Sequence, residues 1–125
     1  MSRGPEAAFW KRVRSAWSGH AVRVEASDGE ADVGTPDCVL SAGYRGGWIE
    51  LKVWPDNVSR EQLVWHIDAV ERGAYAMVLS DVGGGRAWLG DAEEYYSLVL
   101  RGKRPRGVVL QRALDVVRCA LIRAH

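Results

Sequence analysis

Apolar residues recur at helical spacing from the start of the chain. Ala8, Phe9, Val13 and Trp17 fall on one stripe, with Lys11, Arg12 and Arg14 between them. Pro5 suits the first helical turn and Gly19 ends the helix. Residues 21–25 then alternate apolar and polar, as a strand does, and residues 27–34 form a polar turn region. Two further strands are expected at 37–40 and 48–53. The glycine-rich link 42–47 between them predicts an antiparallel hairpin. Pro55, Asp56 and Asn57 break the second strand, and Ser59 opens a helix that runs to Arg72 and stops at Gly73. The short apolar run 76–80 reads as a buried strand, and Gly83, Gly84 and Gly85 turn the chain into another at 86–89. Asp91 caps a helix through about Leu100, residues 101–107 form a basic, proline-containing loop, and Leu110, Leu114, Val117 and Leu121 line one face of a last helix.

This order of helix, three strands, helix, two strands and two helices predicts an α/β fold, a central mixed sheet flanked by helices. A chain of 125 residues fits one domain that buries a real core without staples. The core is expected within about 5–90, with a helical, basic C-terminal segment at 91–125. A hydrophobic fraction of 47% against 26% charged excludes a largely disordered chain. The two cysteines, Cys38 and Cys119, have no metal-ligand spacing and are expected to be reduced and mostly buried. The first residues lack the apolar run of a signal peptide and no stretch reaches membrane-spanning length, so a soluble, cytoplasmic protein is expected.

The net charge of +1 is uninformative, but its distribution is not. Residues 1–100 carry ten basic and fifteen acidic groups, whereas residues 101–125 carry seven basic groups against Asp115 alone. A polyanion would be drawn to that end, although a solvated helix and a solubilising loop explain the charge equally well.

The chemistry concentrates in residues 48–54. On a strand, Ile49, Leu51 and Val53 share one face, and Glu50 and Lys52 share the other with Trp48 and Trp54. An acid and a base on such a strand are costly unless their face opens to solvent or to a site. Alone, the triplet reads as an exposed ion pair of little consequence. The hairpin changes this, because it brings Asp37, at the start of one strand, close to Glu50 and Lys52 at the end of the other. Two carboxylates at close range repel and favour a divalent cation between them. Such a site polarises a phosphodiester and acidifies a bound water, and a neighbouring lysine offsets the developing negative charge.

Pro36-Asp37 followed by Glu50-Leu51-Lys52 resembles the signature of the PD-(D/E)XK nuclease superfamily. Phe9-Trp10, Arg23-Val24-Glu25, Gly34 to Asp37, Trp48 to Lys52 and Ser59 to Gln62 are together similar to small phage or prophage proteins related to the VRR-NUC nucleases. The likeness spans residues 6 to about 90 and implies a restriction-endonuclease-like core. It implies that Asp37, Glu50 and the Leu51 carbonyl bind Mg²⁺, with Mn²⁺ able to substitute, and that Lys52 orients or activates the water. Gln62 matches a position that supports such sites, while Ser59 and Gln62 equally read as a helix capping box. Glu25 matches an acidic position near the metal or is an exposed strand residue. Glu6 matches another such carboxylate, but a favourable charge at a helix N-terminus suffices to explain it. The short link 53–58 departs from relatives that carry more basic residues there.

The expected activity is metal-dependent hydrolysis of DNA, selective for branched structures such as Holliday junctions rather than for sequence. Junction symmetry suits a homodimer. Trp54, Arg45, Lys103, Arg104 and Arg106 are the candidate DNA contacts. The last helix supplies a dimer surface or closes the core. His66, beside Trp65, reads as a surface or packed residue rather than a ligand. Two other readings stand beside the nuclease: a catalytically silent nuclease fold that binds DNA, and an interaction protein whose Glu-x-Lys strand is a solvated sheet face.

Overall fold

The computed structural model describes residues 4–24 and 34–123. Helix α1 (Gly4–Ala16) is followed by β1 (His20–Arg23), β2 (Cys38–Ala42) and β3 (Arg45–Val53), and then by α2 (Arg60–Glu71), β4 (Ala76–Gly83) and β5 (Arg86–Gly90). Helix α3 (Ala92–Leu100), β6 (Val108–Val109) and α4 (Leu110–Arg123) complete the described chain. The six strands form one sheet in sequence order. It is mixed because β3 and β4 run parallel across the α2 crossover while every other neighbouring pair is antiparallel. The expected α/β class, a mixed sheet flanked by helices, is the observed one.

The hairpin between β2 and β3 is tighter than its glycines suggest. Ala42 pairs with Arg45, so the turn is Gly43-Tyr44 alone, with Gly43 at a φ of 63°. Gly46 and Gly47 lie inside β3. A β-carbon on Gly47 would sit 2.6 Å from the Tyr75 ring, so that glycine serves close packing rather than the turn. The Gly83 to Gly85 run does turn the chain between β4 and β5, with positive φ at all three residues.

One sheet face carries Leu40, Ile49, Leu51, Leu79 and Ala87, covered by Phe9, Trp10, Val13 and Trp17 at α1 and by Ala113, Leu114, Val117 and Leu121 of α4. The apolar stripe of α4 therefore closes the core and is not a free dimer surface. Strand β6 was hidden in the sequence between Gly107 and the last helix. It pairs with β5, so the residues after 90 complete both sheet and core. The opposite face is covered by α2 and α3 around Val58, Val78, Ala92 and Tyr95. Cys38 is buried as expected, but Cys119 is exposed on the outer side of α4, and both are free thiols. No described helix is long and apolar enough to cross a membrane.

Candidate active site

The β2–β3 ladder ends at the pair Cys38 and Ile49. One residue further, Asp37 stands opposite Glu50, and its backbone carbonyl accepts from Val24 N–H at 2.7 Å. Its side chain continues what the ladder leaves undone, since Asp37 Oδ2 accepts from the Leu51 amide at 2.9 Å. A strand residue points its N–H and C=O to the same edge, so the Leu51 carbonyl also faces the Asp37 side, beyond the last ladder pair. Side chains alternate across β3, which puts Glu50 and Lys52 on the α2/α3 face, beside Val78 and Ser80 of β4.

Both charged residues are buried, Glu50 1% and Lys52 7% exposed. This excludes the solvated sheet face of the alternative reading. Helices α2 and α3 cover that face. Lys52 Nζ lies 3.9 Å from Glu50 Oε2 and 3.9 Å from Asp56 Oδ2, so it is paired electrostatically on both sides. Burial, followed by a hydrogen bond with Asp37 and the charge of Asp37, pushes the Glu50 carboxyl up to about 10. The buried Glu50 carboxyl therefore favours its protonated form at neutral pH.

Gln62 makes the helix cap and also touches Glu50. Its Oε1 accepts from the Ser59 amide at 2.8 Å, and its own amide donates to Ser59 Oγ at 3.1 Å, closing the capping box of α2. Its Nε2 donates to Glu50 Oε2 at 3.0 Å. The helix cap and the acid are fixed by one side chain. Glu6 lies in an ion pair with Arg23 at 3.1 Å. Burial, and then the charge of Asp37, raise its pKa, and it lies in the first turn of α1. Glu25 lies outside the described residues.

The DNA-contact candidates divide. Trp54 follows the last residue of β3 and is anchored by its amide to the Asp81 carbonyl at 2.9 Å. Its ring is half-buried against the α3 cluster, and the Arg104 guanidinium stands 4.9 Å from the ring centroid. That arrangement opposes Trp54 as an open base-stacking platform and makes it the seat of a cation instead. The loop carrying Lys103, Arg104 and Arg106 is pinned at Gly107, where a β-carbon would meet Val82 at 2.5 Å, and Arg104 lies against Gly83. The exposed basic side chains are thereby brought to the end of the sheet that bears Lys52 and Asp56. Arg45 is at the hairpin tip, five residues up β3 from Glu50 and roughly 17 Å away at strand rise, so it does not join the site. His66, read from the sequence as a surface or packed residue, is packed: it is buried at 2% exposure, with neither ring nitrogen partnered among the described residues.

The residues fit a divalent cation. Glu50 Oε1 is buried and has no hydrogen-bond partner among the described residues, and the carboxylate of Asp37 stands beside Glu50 at the hairpin end. Mg²⁺ takes one or two carboxylates plus waters, so Asp37, Glu50 and the Leu51 carbonyl suffice without the larger cluster of acids or histidines that the described residues lack.

This fold, a mixed sheet sandwiched by helices with the acids where the β2–β3 hairpin ends, is the restriction-endonuclease-like α/β arrangement. Among solved structures, the chain is similar to the 1.6 Å structure of Archaeoglobus fulgidus Hjc, described as a Holliday junction resolvase from an archaeal hyperthermophile. The TM-score is 0.51 at 19% sequence identity, over 86% of this chain and 97% of that one. No protein-family model matches the chain, and no curated protein matches it in sequence.

Proposed function

We propose that this chain is one nuclease domain of the PD-(D/E)XK type, a Mg²⁺- or Mn²⁺-dependent DNA endonuclease that selects branched DNA rather than sequence. The observation that carries the reading is the meeting of Asp37, Glu50, Lys52 and Gln62 at the end of the β2–β3 hairpin, with Glu50 and Lys52 buried. Asp37, Glu50 and the Leu51 carbonyl would hold the cation, which when bound polarises the phosphodiester and acidifies a water. Gln62 fixes the Glu50 carboxylate through its amide. Lys52, held between Glu50 and Asp56, directs its ammonium to the same place, where it orients the water and offsets charge developing on phosphate oxygens. Arg104 on Trp54, with Lys103 and Arg106, offers phosphate contacts beside the acids. The resolvase activity named for the similar archaeal structure supports a branched substrate. A homodimer matches the two-fold symmetry of a junction, and a cytoplasmic location, the host's if the chain is phage-encoded, follows from a DNA substrate.

The test is cleavage of a labelled four-way junction beside linear duplex and single strand, with Mg²⁺, Mn²⁺ or EDTA, using wild type and Lys52→Ala. Metal-dependent cutting of the junction that vanishes in Lys52→Ala is expected. Absence of cutting by a folded protein with either metal overturns the enzymatic reading and leaves a DNA-binding nuclease fold.

A further inference from the structure

The two helical layers carry opposite charge. Helices α1 and α4 hold six basic side chains, Lys11, Arg12, Arg14, Arg112, Arg118 and Arg123, against Glu6 and Asp115. Helices α2 and α3 hold Arg60 alone against Glu61, Asp68, Glu71, Glu93 and Glu94. The contrast is a product of the fold, because α1 and α4 come from opposite ends of the described chain and meet on one sheet face.

The two acids of the basic layer are engaged elsewhere. Glu6 pairs with Arg23, and Asp115 accepts from the Gln111 side-chain amide at 3.1 Å. Among the described residues, Arg12 is the one member of the six in an ion pair, with Asp81. Lys11, Arg14, Arg112 and Arg123 are exposed. Arg118 bridges the helices, donating to the Ser18 carbonyl, just beyond α1, at 2.6 Å and to Ser18 Oγ at 2.7 Å. The cations therefore form one surface. Like charges gathered on one surface repel, a cost that a polyanion relieves. Lys11, Arg12 and Ser15 line an open hollow in that surface, and two cations with a hydroxyl are the chemistry of a phosphate contact.

The layer reaches the acids at one end. Asp81, which holds Arg12, is in register with Val53, one residue beyond the pair Lys52 and Ser80. Alternation along β4 sends Ser80 to the site face and Asp81 to the α1 face. Helix α4 begins at the same end, since Val109, just before it, pairs with Arg86, just after the β4–β5 turn. A DNA backbone leaving the acids at Lys52 meets Arg12 on crossing the end of the sheet. A second copy related by a two-fold axis would set this positive surface against itself.

We propose that the outer surface of α1 and α4 is the bed for a duplex arm of the DNA substrate, contacting phosphates through Lys11, Arg12, Arg14, Arg112 and Arg123, while the acidic α2/α3 layer turns DNA away. The proposal rests on the nuclease reading above and deepens it by naming the side on which the substrate lies.

The test is binding of a labelled four-way junction across a salt series in EDTA, where nothing is cut, with thermal melting of each protein. Lys11→Glu with Arg14→Glu reverses two charges on α1, and Arg112→Glu with Arg123→Glu reverses two on α4. Arg60→Glu with Arg72→Glu makes the same change of net charge at α2. The α1 and α4 pairs are expected to weaken binding and to reduce the slope of log K against log salt by about 2 each, close to one contact per residue. The α2 pair is expected to keep the wild-type slope. A wild-type slope in either the α1 or the α4 pair overturns the proposal, and so do equal losses in all three pairs, which are the signature of net charge alone. Open-ended assembly of the wild type at low salt, dissolved by the α1 and α4 reversals, also overturns it, because the layer would then belong to the acidic helices of a second copy. A wild type that binds no DNA overturns the nuclease reading itself, an outcome distinct from variants that bind normally.

Discussion

The two faces of the sheet are built from the same strands and hold different chemistry. The face under α1 and α4 is an apolar seam of Phe9, Val13, Ile49, Leu51, Leu79, Leu114 and Val117, and its one unpartnered buried polar atom among the described residues is the Tyr75 hydroxyl. The face under α2 and α3 holds every buried charged or polar side chain so described: Glu50, Lys52, His66 and Ser80. Ser80 is satisfied, donating to the Tyr95 hydroxyl at 3.0 Å, and Tyr95 donates to the Asp56 carbonyl at 2.8 Å. Glu50 and His66 are not fully satisfied. Buried polar groups without partners are destabilising. Among the described residues, all such atoms but the Tyr75 hydroxyl lie on the α2/α3 face, at Glu50, Trp54 and His66, so the departures from the rules of a stable core concentrate there, and such departures gather at functional sites.

The widest separation between the faces comes from one substitution on each. Leu114→Ala on the apolar face should lower stability by about 2–5 kcal/mol, because it removes a buried side chain and leaves a cavity. The protein that remains folded should bind Mn²⁺ as before. Glu50→Gln should do the reverse. Metal-dependent cleavage should fall by about 10²–10³-fold or more. The metal-free fold should hold its melting temperature, because a buried acid that is already protonated is replaced by a neutral amide. Chemical denaturation and Mn²⁺ calorimetry on both variants check the pair. Loss of stability in Glu50→Gln equal to that of Leu114→Ala would show that the two faces are alike.

Acidity distinguishes the faces next. The Glu50 carboxyl is raised from its ordinary 4.5 to about 10. Between those values the folded protein binds a proton that the unfolded chain has lost, so stability of the metal-free protein falls as pH rises through that window. Binding a cation expels the same proton, so metal affinity must move the opposite way, rising about tenfold per pH unit, or roughly 100-fold from pH 6 to 8. Melting against pH without metal and Mn²⁺ calorimetry at several pH values measure the two trends. Glu50→Gln should flatten the first. A metal affinity independent of pH would show that Glu50 does not hold the proton.

The apolar face was largely legible in the sequence, because strand alternation and the stripe of Leu110, Leu114, Val117 and Leu121 are local patterns that burial then enforces. Asp37, Glu50 and Lys52 were legible as well, through the hairpin geometry that sets Asp37 against Glu50. What was not legible depended on contacts between distant elements. Trp54 shares the parity of Glu50, but nothing local says that Arg104, fifty residues on, covers its ring. Gly47 looks like a turn residue until the Tyr75 ring is placed against it. Strand β6 is too short to show alternation and exists because β5 offers an edge. Whether His66 lies on the surface or is packed was decided only when Trp65 and Trp48 were placed beside it.

Gln62 joins the two kinds of demand, holding the start of α2 with its oxygen and Glu50 with its nitrogen. Gln62→Glu separates them. A glutamate oxygen still accepts from the Ser59 amide, and the Ser59 hydroxyl still receives the backbone amide of residue 62, so the capping box survives. In the metal-free protein the protonated Glu50 can donate to the new carboxylate, so melting should change little. With Glu50 ionised, the same contact becomes a repulsion between two carboxylates where an amide had donated. Mn²⁺ affinity and cleavage should then fall by about tenfold, toward the lower end of what groups behind metal ligands contribute. Gln62→Ala loses cap and donor together, and should additionally lower stability by about 1 kcal/mol. If Gln62→Glu melts lower and binds Mn²⁺ normally, the glutamine belongs to the helix and not to the site.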